Sequence, residues 1–166
     1  MKTLPLLLAL TSLPAVATDV TLNIEGNIYD TTCQVDGGSQ NMVVDLGQGV
    51  ASDFRDIGDT GPWKKFDLTL TNCPPTLTVA TVSVDGPRDR DHPFKFANSG
   101  TATGVALELA DRLDYIVLAP EARFSVVIDA GTHTATFPMA ARYYATAMPV
   151  TAGTFNSVVQ ATFTYQ

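Results

Sequence analysis

Residues 153–166 read G-T-F-N-S-V-V-Q-A-T-F-T-Y-Q, and their alternation points to the fold class. Phe155, Val159, Ala161, Phe163 and Tyr165 share one side of a period-2 pattern. Asn156, Gln160, Thr162, Thr164 and Gln166 fall mostly on the other, which predicts a half-buried strand. The strand runs to the last residue. With no hairpin partner after it, its second neighbour lies elsewhere in the sheet, in another chain, or nowhere. An ordinary last strand of a β-sandwich is the plain reading, since termini are often tied down in sheets.

The opposite end carries the same signal. Over residues 19–28, Val20, Leu22, Ile24, Gly26 and Ile28 occupy one face and Asp19, Thr21, Asn23, Glu25 and Asn27 the other. The period and the β-branched content both predict a strand. Between the two ends, strand-like runs fall at residues 42–46, 65–71, 78–84, 105–109, 115–118, 123–128 and 132–144, the last with Pro138 as a candidate bend. Turn chemistry such as Gly47-Gln48-Gly49, Asn72-Cys73-Pro74-Pro75 and Asp85-Gly86-Pro87 separates them. A spacing of about ten residues predicts an all-β sandwich. Helical periodicity of useful length, linkers and internal repeats are absent, so one compact unit is expected.

Lys2, an apolar run over residues 4–13 and Ala15-Val16-Ala17 predict a secretory signal peptide over residues 1–17. The run is too short for a hydrocarbon core that takes about 20 residues to cross. The 149 residues that follow, of 166, fit a single domain. The whole chain has a formal net charge of −7, and without Lys2 it has 9 basic against 17 acidic residues, a net of about −8. Nucleic acid and anionic membranes reward basic patches, so neither is an expected partner, and solubility is the plain explanation of the acidity. Cys33 and Cys73 allow one intramolecular pairing. A disulfide is expected, closing a loop of about 40 residues worth roughly 3 to 4 kcal/mol in the chain-entropy account. Neither cysteine has a second Cys or His at zinc-ligand spacing.

Catalytic chemistry is hard to find. His92 and His133, the only histidines, have no nucleophile or carboxylate at a catalytic spacing. Asp85, Asp89 and Asp91 alternate with Arg88 and Arg90, which oppose a cation, and lack the closing Glu of a calcium loop. Asp53, Asp56 and Asp59 around Arg55 read the same way, as a solvated turn. Gly-x-Ser-x-Gly and phosphate-cradling loops are missing. Trp63 and Phe66 in G-P-W-K-K-F are a candidate sugar-stacking platform, though an aromatic just before a strand is usually packing. No enzyme, cofactor or metal is expected. A secreted carbohydrate-binding β-sandwich, with Trp63 and nearby polar residues as its site, is the alternative from another class.

An alternating N-terminal segment with a Gly, Cys33 soon after it and Cys73 40 residues later resemble the fimbrial (pilin) subunits of the chaperone-usher pathway. L-T-N-C-P at residues 70–74, A-R-Y at 141–143 and P-V-T-A-G at 149–153 sharpen the match. So does the C-terminus. Subunits of that family end in a strand with Gly fourteenth from the end and an aromatic at the penultimate place, which Gly153 and Tyr165 occupy. The short length and W-K-K-F-D-L-T-L-T-N-C-P look more like minor adaptor subunits than two-domain adhesins, with a major shaft subunit as the alternative.

The resemblance implies an incomplete immunoglobulin-like sandwich lacking its last strand, with a groove beside the C-terminal strand. Residues 18–29 are then a donor-strand extension, through Val20, Leu22, Ile24, Gly26 and Ile28, and residues 30–166 the pilin domain. Gly153, Phe155, Val159, Ala161, Phe163 and Tyr165 form one wall of the groove and the strand a chaperone recognises. The implied partners are a periplasmic pilus chaperone, an outer-membrane usher and neighbouring subunits, and the implied destination is a fimbrium at the cell surface.

Overall fold

The computed structural model describes residues 32–166. The expected signal peptide at residues 1–17 and the donor-strand extension at residues 18–29 lie outside the described residues. Two sheets face each other. The first holds five strands in the order β1 (Gln34–Val35), β2 (Lys64–Thr71), β7 (Ala135–Ala145), β4 (Val105–Asp111) and β5 (Val117–Leu118). The second holds β6 (Arg123–Val127), β3 (Val79–Asp85) and β8 (Gln160–Tyr165), and every strand pair is antiparallel. This is the all-β, immunoglobulin-like sandwich expected. A single helical turn, α1 (Gly37–Gln40), and a 3-10 turn at Ala51–Asp53 are the helical pieces among the described residues.

The strands form where apolar residues recur at every second place. In β3, Ala80, Val82 and Val84 are buried while Thr81 and Ser83 are not, so one face meets the core. Leu68 and Leu70 of β2 and Phe137 and Met139 of β7 project from the first sheet onto it. Phe137 is fully buried and lies edge-on to Phe124 of β6 at 5.5 Å, with Phe163 of β8 at 5.4 Å, joining both sheets. The disulfide Cys33–Cys73 ties the residue before β1 to the loop after β2, where the β1–β2 ladder is two pairs long, Gln34↔Thr71 and Val35↔Leu70.

Some elements differ from expectation. Strand β7 begins at Ala135 rather than 132, because the Asp129 carboxylate accepts from Gly131 N, Thr132 N and Thr132 Oγ1 and folds that stretch into a turn. Those bonds hold the Asp129 carboxyl below the usual range. Pro138 is accommodated inside a central strand. Its carbonyl accepts from Arg112, one residue past the end of β4, so its missing N–H falls beyond the ladder with β4. Strand β5 starts at Val117 rather than 115, since Tyr115 has φ +54° in a turn closed from Asp111 N to Ile116 O. Residues 42–46 and 155–159, both expected within strands, are extended but belong to no sheet.

Candidate functional site

Those two extended stretches face one another across an open groove of about 1360 Å³. Met42, Val44 and Leu46 are half-buried while Val43 is 91% exposed, so the first wall keeps strand alternation. The second wall does the same, with Phe155, Ser157, Val159, Ala161, Phe163 and Tyr165 half-buried and the residues between them exposed. Among the described residues, no main-chain hydrogen bond engages the amides of 42–46 or 157–159. Leu68, Val84, Leu107 and Met139, all buried core side chains, line the base of the opening. Both stretches keep the alternation of strands, and neither pairs with a strand among the described residues.

The second wall is held from behind at each end. Gly153 lies so close to the 98–102 loop that a Cβ there would be 2.4 Å from Ala102 N, which makes glycine obligatory without any positive φ. Thr154 then exchanges bonds with Thr101, its N donating to Thr101 Oγ1 at 2.9 Å and its Oγ1 accepting from Thr101 N at 3.0 Å. Asn156 N donates to Asn98 Oδ1 at 2.8 Å. Past the free stretch, β8 pairs with β3 from Asp85↔Gln160 to Ala80↔Tyr165, and Gln166 O accepts from Thr78 N and Val79 N. Gly86 lets the middle approach, since a Cβ on it would meet Val158 O at 2.6 Å. Only the groove side is left open.

Tyr143 links the walls. Its hydroxyl donates to Gly47 O at 2.8 Å, and its ring stands edge-on to Phe155 with centroids 4.9 Å apart. Burial, with the Asp45 carboxylate adding to it, pushes the Tyr143 phenol above the usual tyrosine range and keeps it a neutral donor. Burial also pushes the Tyr165 phenol up. A smaller cavity of about 130 Å³ adjoins the groove and shares Tyr143, Gly153 and Phe155 with it.

Of the residues expected along the wall, Gly153, Phe155, Val159, Ala161 and Phe163 line the opening together with Met42, Val44, Leu46, Tyr143 and Ser157, while Tyr165 packs against the core beyond it. Trp63 and Phe66 are not brought together. Phe66 lines the groove, while Trp63 lies under the Arg142 guanidinium at 4.0 Å, and Arg142 shares the buried Glu108 carboxylate with Lys95. Asp59 accepts from Arg55 N and Asp56 N, and Asp89 from Asp91 N and His92 N, so these acids close turns. His133 Nδ1 lies 3.0 Å from Cys73 O beside the disulfide, and His92 stacks edge-on to Tyr144.

The family model described as Fimbrial protein matches residues 22–166. The chain is 36% identical over 152 residues to the S-fimbrial adhesin protein SfaS of Escherichia coli O6:K15:H31 (strain 536 / UPEC), covering 91% of this chain and 88% of that one. It is 33% identical over 159 residues to Protein FimG of Escherichia coli (strain K12), covering 96% and 92%. Its fold matches a subunit in the structure of a chaperone-usher pilus with TM-score 0.67 at 22% identity, covering 94% of this chain and 99% of that one. With the open sandwich and its C-terminal wall already evident from the residues, these matches make the chain a member of the fimbrial protein family.

Proposed function

We propose that the groove is the site at which this subunit is joined to others, by accepting an extended strand from a second chain. The observation that carries this is the pair of unpaired, alternating walls that flank an opening lined at its base by core side chains. Such an edge is a template for strand addition, in which main-chain bonds supply adhesion and alternate side chains supply register. On this reading, a periplasmic chaperone lends the strand first. At the outer-membrane usher the extension of the next subunit replaces it, and the product is a fimbrium on the cell surface that supports adhesion.

The chain's own contribution to the next groove is residues 18–29, placing Val20, Leu22, Ile24, Gly26 and Ile28 inward. It follows a signal peptide at residues 1–17 and precedes the pilin domain at residues 30–166. A minor tip or adaptor position is proposed on the resemblance of residues 63–74 to such subunits. No catalytic role is assigned.

Val159 lines the groove at the end of its free stretch, just before β8. A photocrosslinker introduced there is expected to capture the N-terminal residues of a neighbouring subunit in assembled fimbriae, read by mass spectrometry of the crosslinked peptide. Crosslinks confined to this chain's own domain would contradict the proposal.

A further inference from the structure

The outward faces of the two walls are polar with two exceptions. Asn41 and Asp45 are exposed on the first wall and Asn156, Gln160, Thr162 and Thr164 on the second, but Val43 is 91% exposed and Val158 66% exposed. Both valines border the opening. Single exposed apolar residues are ordinary on a surface, but these two stand at one level on opposite lips. Strand pairing puts Val35 beside Leu70 and Leu70 beside Ala135, so the first wall sets out from the Ala135 end of β7 and reaches the Tyr143 end at Gly47. The second wall runs the other way, from Phe155 against Tyr143 to Phe163 against Phe137. Val43 comes four residues before Gly47 and Val158 three after Phe155, about 13 Å and about 10 Å along extended chain. The Val158 carbonyl oxygen lies against Gly86, on the side away from the opening, where a Cβ would be 2.6 Å from it. Its side chain is what it offers to a strand in the groove.

A strand lying between the walls turns alternate side chains to the core and to solvent, and each outward side chain has neighbours on both flanking strands. A polar residue between Val43 and Val158 leaves both valines facing water. An apolar one buries all three together. We infer that Val43 and Val158 form an apolar clip that selects the occupant by its solvent-facing side: a neighbouring subunit's strand with Val, Ile or an aromatic residue at this level, on the face opposite its core-filling residues. This rests on the strand-accepting reading of the groove. It deepens that reading with a requirement that filling the core does not impose.

Photocrosslinkers placed singly at Val43 and at Val158, exposed sites where the fold tolerates them, test it in assembled fimbriae. Both are expected to capture one and the same residue of a neighbouring subunit, identified by mass spectrometry as Val, Ile, Tyr, Phe or Trp. Capture of a polar residue, or of two different residues, overturns the inference and leaves the groove reading standing. Crosslinks confined to this chain's own domain overturn both. A peptide of the captured segment then gives the size of the effect. Val43→Thr combined with Val158→Thr keeps the shape and strand preference of both side chains, and should weaken peptide binding to the mature chain about tenfold, the scale of two lost apolar cross-strand contacts. Val127→Thr is the control, at a residue 77% exposed on β6 and outside the groove, and should leave binding unchanged. Undiminished binding in the double variant, or an equal loss in Val127→Thr, also overturns the inference.

Discussion

Deleting residues 18–29 from the mature chain is expected to abolish its incorporation into polymer while leaving its domain folded and its groove able to take a strand. The reason lies in how the chain is divided. Among the described residues the core cluster runs from Cys33 to Ala141, with Phe155, Val159, Ala161, Phe163 and Tyr165 packed against it. The elements that define the groove, from Val35 to Phe163, are all in that body. On the proposed strand exchange, removing the extension takes away the part offered to a neighbour and leaves the accepting part whole. Fimbrial preparations should then lack the truncated subunit, while the purified truncated domain still binds a strand peptide with unchanged affinity. Truncated subunits found along polymers, with further subunits beyond them, would contradict the division.

Replacing Cys33 by Ser should destabilise the domain by about 3 to 4 kcal/mol, the scale expected for opening a loop of this length. The consequence is uneven, because the disulfide secures a weakly held region. Strand β1 has two residues, the helical turn after it buries no side chain, and the first groove wall beyond that makes no main-chain hydrogen bonds from residues 42–46. Asp36 N bonded to Thr69 O and Thr69 N bonded to Ser39 Oγ are its other ties to β2. Without the disulfide, the first wall should lose its position before the rest of the sandwich does. Denaturant unfolding of Cys33→Ser beside the wild type measures the first effect, and peptide affinity measures the second. An unchanged midpoint would show that β1 is held by something other than its covalent tie.

Period-2 alternation made the edge of the groove readable. It placed Phe155, Val159, Ala161, Phe163 and Tyr165 on the inward face, and the structure has all of them there. It also marked residues 42–46 as a strand. What it could not carry is whether a strand finds a partner, because alternation reports burial of a face and not pairing along an edge. Ser157 sits in phase with its apolar neighbours, so a polar side chain on the inward face was the available signal. Tyr143 entered only as part of A-R-Y. Its bond to Gly47 and its contact with Phe155 join positions 96 residues apart in one case, which no local pattern encodes. The close approach that requires Gly153 is likewise a contact with Ala102 and Thr101, far away in sequence.

The turn before β7 failed for a different reason. Thr132, His133 and Thr134 suit a strand, but the Asp129 side chain captures the amides of Gly131 and Thr132 and outweighs that preference. Strand β4 shows the reverse case. All seven of its residues are buried, because Phe96 pairs along its edge at Leu107 and Lys95 folds over Glu108 on the outer face. That cover comes from a loop whose sequence gives no strand signal.

Backbone hydrogen exchange on the mature chain, with and without a saturating strand peptide, tests the central claim most directly. If the groove accepts a strand by main-chain pairing, amides within residues 42–46 and 157–159 exchange quickly in the free subunit and become protected together when the peptide binds, while β2, β3 and β7 are protected throughout. Peptide binding that leaves the amides of both walls exchanging as fast as before would contradict it.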